Sequence, residues 1–336
     1  MKEYAMPHNT PSFWYPKQGE SLAVNAKLLK PLSWLYGVGF KVHQTMSAAK
    51  KVDIPVICIG NLSAGGTGKT PTCIRFAEMV KESGIAQNPF FLMRGYGGAE
   101  RGPIIVDPNA HSAWDVGDES LILAKHAPTI VSADRFEGAR LGMSRGADMI
   151  VMDDGLQNPG IHKDIKIIVV NGEMGFGNGL MMPAGPLREP LQSGLAKADA
   201  FFVIGEDKSG ARDLLPEDVP VFSAHLEADQ DHMPPKDQKY LAFAGLGYPQ
   251  KFFDFLSHGL GYDIVASEAF ADHCPYESAD IAALRETAAK HGAALITTQK
   301  DYLRLPEDER GDIVTLPVFM QFDDADAVTA FLREAL

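Results

Sequence analysis

The sequence predicts an α/β fold: a doubly wound, mostly parallel sheet, a second and smaller α/β domain, and an N-terminal amphipathic helix. Three observations carry this. Short apolar runs alternate with helical patterns from Pro55 onward, the mark of parallel strands joined by crossover helices. A charged stretch from Glu227 to Lys239, with Pro234-Pro235 inside it, interrupts the alternation before it resumes. The first apolar run, Pro55 to Ile59, leads through a glycine-rich turn into a helical pattern opening at Lys69-Thr70.

The chain begins with a basic, aromatic-rich segment. Residues 1–51 hold seven lysines against Glu3 and Glu20, a local charge of +5, so the other residues carry −18 of the total −13. Leu28, Leu32, Leu35 and Val42, with Leu29, Tyr36 and Phe40 beside them, recur at helical spacing. Pro31 starts a new helix or kinks a longer one. On a continuous helix Lys27, Lys30 and Lys41 fall on the face opposite the leucine stripe, with Trp34 among them. Such a helix suits a membrane interface; packing on the core with solvated lysines is the equal alternative.

Ser63-Ala64-Gly65-Gly66-Thr67-Gly68-Lys69-Thr70 follows the first strand. Glycines let the backbone curl until its N–H groups converge, and the helix behind adds its positive N-terminal end. Lys69 then reaches the β- and γ-phosphates and the Thr70 hydroxyl serves Mg²⁺. This makes the fold P-loop NTPase-type and a nucleoside triphosphate the expected ligand. The general pattern asks for glycine where Ser63 stands. The competing reading is a glycine-rich connection that binds nothing, but strand, loop and the Lys-Thr pair agree.

Strand-like runs follow at 89–93, 103–106, 129–132, 148–152, 165–170, 200–204 and 219–223, with helical patterns at 118–126 and 135–146 between them. The second alternation has strands at 240–244, near Ile264, at 294–298 and at 313–318, and helices from Pro249, at 278–291 and at 324–336. The expected organisation is a helical segment over 1–50, a nucleotide domain over 51–226, a linker over 227–239 and a smaller domain over 240–336.

Composition narrows the function classes. A net charge of −13 argues against nucleic acid as partner. Three cysteines without metal-ligand spacing argue against a disulfide framework or zinc site. No apolar run reaches the ~18 residues of a membrane span, and the polar, proline-containing opening does not resemble a secretory signal. No obligate protein partner is indicated.

Asp153-Asp154 ends an apolar strand, where P-loop enzymes place the acid that orients Mg²⁺. Thr70, Asp153, Asp154 and Glu119 are the candidate metal ligands. Asp118 precedes a helical run and reads either as an N-cap or as a general base or metal ligand. Asp272-His273 is a structural pair or a catalytic one. Gly245-Leu246-Gly247 reads as a tight strand-to-helix turn. Thr298-Gln299-Lys300-Asp301 only superficially resembles a guanine-reading motif, since Thr replaces the expected Asn.

Taken jointly, these stretches resemble the tetraacyldisaccharide 4′-kinases of lipid A biosynthesis over nearly the whole chain. The matching stretches are Pro31-Leu32-Ser33-Trp34-Leu35-Tyr36-Gly37, Gly60 to Pro71, Arg94-Gly95-Tyr96-Gly97 and Val116-Gly117-Asp118-Glu119. Further on come Asp153 to Gln157, Pro183 to Pro190, Phe270-Ala271-Asp272-His273 and Thr298 to Asp301. Ser63 fits this family's loop, whereas Leu156-Gln157-Asn158 departs from its usual Phe-Gln-His. The resemblance implies ATP-dependent phosphorylation of the 4′-hydroxyl of a tetraacylated disaccharide 1-phosphate at the cytoplasmic face of the inner membrane. It implies Asp118 as base assisted by His273, Lys69 in catalysis, and Arg94, Arg188 and Glu189 on the acceptor side. The rival is a P-loop regulatory or maturation NTPase that acts on a protein.

Overall fold

The computed structural model describes residues 11–16, 21–247, 249–271 and 274–336. Two compact units emerge: residues 12–226 together with 320–336, and residues 227–319.

In the first unit helix α1 spans Val24–Thr45 as one helix, with Pro31 inside it. Then come β1 (Val56–Gly60), α2 (Lys69–Glu82), β2 (Pro89–Met93), β3 (Ile104–Ile105), α3 (Ala113–Val116), α4 (Asp118–Ala124), β4 (Thr129–Val131) and α5 (Arg135–Ser144). The unit continues through β5 (Met149–Asp153), β6 (Ile165–Asn171), α6 (Leu191–Leu195), β7 (Ala200–Ile204) and β8 (Val221–Ala228).

The central strands β1, β2, β5 and β7 are buried along their whole length. This is why they read as continuous apolar runs rather than alternating ones. Strand β1 lies between β5 and β6, parallel to both. Strands β2 and β4 extend the parallel array on one side, β7 and β8 on the other. Two-residue β3 runs antiparallel at the edge. The chain crosses from β1 to β2 on one side and from β6 to β7 on the other, so the crossover direction reverses between neighbours β1 and β6 and a crevice opens at their carboxyl ends, where such sheets bind ligands.

The second unit contains β9 (Lys239–Ala244), α7 (Pro249–Asp254), β10 (Asp263–Ala269), α8 (Ser278–His291), β11 (Ala293–Thr298), α9 (Gln299–Arg304) and β12 (Ile313–Leu316). Its sheet runs β10-β9-β11-β12, all parallel. Alternate residues of β9 enter separate cores: Tyr240 and Ala242 on one face, Leu241 and Phe243 on the other. The Thr298 to Asp301 stretch is scaffold. Thr298 caps α9 by accepting from Asp301 N, and the buried Asp301 carboxylate takes bonds from Gly245 N, Tyr276 and Arg304. These bonds fix the Gly245 turn.

The run at 313–318 is two strands. Pro317 has no N–H for a ladder, and the chain breaks there into β12 and β13 (Val318–Phe322), which joins the nine-stranded sheet beside β8. The closing helix α10 (Ala325–Ala335) stays with the first unit. Phe331 packs on Phe222 at 5.8 Å, Phe322 stacks on Phe202 at 4.8 Å, and Arg333 Nη2 donates to Ser83 O. The second unit therefore ends at residue 319, not 336.

Candidate active site at the carboxyl ends of the parallel strands

Gly60 ends β1 and the chain turns through 61–68 into α2. Gly65 and Gly68 sit at φ +110° and +90°, a region closed to most side-chain-bearing residues. A Cβ placed on Gly65 or Gly66 meets no protein atom within 4 Å, so the loop's rim is open. Gly68 is the N-cap of α2 and no side chain caps it. The first N–H groups of a 14-residue helix thus face the loop, as an anion-binding end requires. The Thr67 hydroxyl is buried without a partner.

The loop's first half is braced from outside. Ser63 pairs antiparallel with Leu187, Ala64 N donates to Pro186 O (2.8 Å), and Arg188 N donates to Leu62 O (2.8 Å). This brace delivers Arg188 to the site, where its Nη1 contacts both Asp154 oxygens at 2.7 and 2.9 Å. Lys69 Nζ lies 3.7 Å from the same carboxylate. Burial pushes the Asp154 carboxyl up, but Lys69 and Arg188 outweigh it and hold its pKa below the usual range. Asp154 stands at φ +55°, a turn that separates its direction from that of Asp153.

Asp153 differs sharply. It is 2 % exposed, its Oδ2 accepts from the Thr70 hydroxyl at 2.8 Å, and its Oδ1 is buried without a partner. Burial, then the nearby negative Glu119, push its carboxyl up to about 7. A buried acid with an orphan oxygen, a hydroxyl beside it and a second acid close by lacks one positive charge. A divalent cation would supply it. Among the described residues no three His, Cys, Asp or Glu side chains form a ready metal cluster. That accords with Mg²⁺, which takes one or two protein oxygens and fills the rest with phosphate and water. Thr70, Asp153 and Glu119 fit such an ion. Asp154 is already neutralised by its two cations.

Asp118 is the first residue of α4, 5 % exposed, and its Oδ1 accepts from Glu119 N at 2.9 Å. The N-cap is Gly117, whose φ of +84° and approach to Tyr96 O leave no room for a side chain. Asp118 is therefore not the cap that the sequence alone allowed.

Arg94 follows β2 at the same rim and is exposed. Beside it stands Arg135, which the sequence reading missed: 4 % exposed at the start of α5, Nη1 bonded to Ser132 O, Nε without a partner. Burial and then Arg94 pull its pKa down to about 10. An arginine opening the helix directly after a parallel strand was the available signal. Glu189 is fully buried, with its carboxylate held by Gln157 and Lys197; it supports a wall instead of facing solvent. Asn158, where the family usually has His, spends its side chain on Gly160 N. His273 lies outside the described residues.

The fold and this site define a P-loop enzyme that transfers phosphoryl groups. The family model for tetraacyldisaccharide-1-P 4′-kinase matches residues 25–336, and the chain belongs to that family. It is 43% identical over 336 residues to the tetraacyldisaccharide 4′-kinase of Bradyrhizobium sp. (strain BTAi1), covering 97% of this chain and 95% of that one. With the Rhodospirillum centenum enzyme of that name it shares 41% over 327 residues, 97% and 96% of the two chains. A crystal structure of LpxK from Aquifex aeolicus in complex with ATP superposes with a TM-score of 0.74 at 26% identity, covering 92% of this chain and 99% of that one.

Proposed function

We propose that this chain transfers the γ-phosphoryl group of ATP to the 4′-hydroxyl of a tetraacylated disaccharide 1-phosphate, giving lipid IVA. The observation that carries this is the Thr70–Asp153 hydrogen bond beside Lys69 at the start of α2, with Glu119 near enough to act on Asp153, in a chain of this family. The loop N–H groups and Lys69 bind the β- and γ-phosphates. Thr70, Asp153 and Glu119 would hold Mg²⁺, which neutralises phosphate charge as it builds in the transition state. Asp154 aims Lys69 and Arg188 from between them. Asp118 takes the acceptor's proton, and because the transition state is loose that proton leaves late and a modest base suffices. By the family resemblance His273 assists it. Arg94 and Arg188 supply positive charge toward the sugar phosphate, and Glu189 acts on that side through Lys197.

Incubation of the protein with labelled ATP and the disaccharide in detergent tests the reading. The expected result is a new phosphomonoester at the 4′ position and ADP formation that depends on lipid. Turnover indifferent to lipid but stimulated by a protein would support the regulatory-NTPase reading instead.

Location at the membrane belongs to the same proposal. No helix among the described residues is long and apolar enough to span a bilayer. Helix α1 instead points Val24, Leu28, Leu35 and Val42 outward, Leu28 being 72 % exposed and Leu35 60 %. Its opposite face, through Ala26 and Ser33, is buried against the first unit. Lys27, Lys30 and Lys41 are exposed. By helix geometry they flank the stripe by about a quarter-turn, with Trp34 among them, and do not lie opposite it. An apolar ridge with lysines along one side fits peripheral attachment at the cytoplasmic face of the inner membrane.

Replacing the three lysines with Glu is expected to weaken binding to anionic vesicles by at least about 100-fold, from about 1 kcal/mol per lysine lost plus the repulsion of each new carboxylate. Apparent KM for vesicle-borne lipid should rise, while turnover on detergent-dispersed lipid changes little. Unchanged vesicle binding in a flotation assay would refute the attachment.

A further inference from the structure

Helix α1 is fastened at two points, and both lead to the phosphate loop. Ser33, 5 % exposed, donates from Oγ to Met181 O at 2.8 Å and accepts from Ala184 N at 3.0 Å. Those two backbone groups belong to a closed turn: Met182 N donates to Leu187 O, Gly185 N to Met181 O and Leu187 N to Leu180 O. The turn's far end is the brace of the phosphate loop, Pro186 and Leu187 against Ser63 and Ala64, and the next residue is Arg188 on Asp154. Eleven residues further along α1, Gln44 Nε2 donates to Gln157 O at 2.7 Å. Gln157 Nε2 in turn donates to Asn61 O at 3.0 Å and Glu189 Oε1 at 3.1 Å. The outer helix thus grips the loop's first half from both ends, through side chains that touch no reacting group.

We propose that Ser33 is a positioning residue for phosphoryl transfer. Its hydroxyl fixes the 180–187 turn, and through it the antiparallel brace of Leu62–Ala64 and the approach of Arg188 to Asp154. Gln44 is the second, weaker tether. The proposal rests on the kinase reading for its kinetic consequence, but not for its structural one. Buried Ala184 N loses its acceptor when the hydroxyl is removed, while Met181 O keeps Gly185 N, so the turn must shift to satisfy Ala184 N. A displacement of order 1 Å at a phosphate-binding group costs up to about 100-fold in rate.

The test uses the full chain and three variants, Ser33→Ala, Ser33→Thr and Gln44→Ala. Ser33→Ala should lower kcat on detergent-dispersed lipid about 10- to 100-fold while KM for ATP moves less than about threefold. Ser33→Thr, which keeps the hydroxyl, should recover most of the rate. Amide exchange at Ala184, Leu187 and Arg188 should quicken in Ser33→Ala and remain slow at β5. In an Arg188→Ala background, Ser33→Ala should cost clearly less than in the wild-type chain, because one of the two features it positions is gone and only the loop brace remains. Thr129→Val removes a buried hydroxyl bonded to Ala127 O and serves as a destabilised control that keeps its kcat.

Full additivity with Arg188→Ala, or unchanged exchange at Leu187 and Arg188, overturns the proposal. Should Ser33→Ala not fold, Gln44→Ala decides by the same exchange and kinetic readouts, since its side chain is only half-buried. Absence of lipid-dependent turnover in the wild-type chain would sink the kinase reading, and the exchange data would still decide the positioning role.

Discussion

Lys69→Ala is expected to abolish phosphoryl transfer while leaving the fold intact. The side chain sits at the start of α2, mostly enclosed, with Nζ 3.7 Å from Asp154. Removing one half of a buried ion pair ordinarily strands the other charge at a cost of several kcal/mol. Here the Asp154 side chain is 32 % exposed and keeps Arg188 on both its oxygens, so no carboxylate is left buried and alone. Stability should therefore change by less than about 1 kcal/mol. The loss falls on the phosphates. Withdrawing one fixed cation from a developing charge costs about 3–4 kcal/mol, a factor of roughly 10²–10³ in kcat. Lys69→Arg should not rescue, because a planar guanidinium cannot replace a point charge at the end of a flexible stem. Single-turnover assays with labelled ATP measure the loss, and a thermal melt checks the fold. Retention of more than a few per cent of wild-type turnover would remove Lys69 from the site.

How far the site could be read in advance depended on how local its signals are. The loop from Ser63 to Thr70 and the acids ending β5 each lie in one continuous stretch, where an apolar run turns polar at a strand end. Their meeting on one rim follows from parallel strand order alone. The brace by Pro186–Arg188 could not be read, since it joins distant segments through irregular backbone that has no period. Ser33 was invisible for a related reason. Helix α1 docks through a small polar side chain while its apolar stripe faces outward, the reverse of the pattern that hydrophobic periodicity detects. The family resemblance put Glu189 on the acceptor side beside Arg188. Only the fold shows Lys197 and Gln157 closing over it. The strand split at Pro317 had a local signal, the missing N–H, but which sheet each half joins is a tertiary matter.

Asp118 yields the second large effect and the clearest separation of chemistry from structure. At the first position of α4 its carboxylate faces the helix's positive end and takes Glu119 N at 2.9 Å. A helix-terminal carboxylate by itself is worth about 0.3–2 kcal/mol. Asp118→Asn keeps the shape and the acceptor for Glu119 N, while it removes the negative charge and with it the ability to take a proton. A structural residue would tolerate that change. A general base would not, and kcat should fall about 10²- to 10⁴-fold with ATP affinity and melting temperature nearly unchanged. Asp118→Ala should lose the same activity and, with the acceptor for Glu119 N gone as well, about 1 kcal/mol of stability besides. His273→Ala probes the assistance implied by the family resemblance. If the two side chains act as one unit, the double variant should be little slower than the slower single one. Full additivity would separate them and leave Asp118 acting alone. An Asp118→Asn variant with near wild-type kcat would show that the carboxylate serves the helix end, and the search for the base would move to the other acids of this rim.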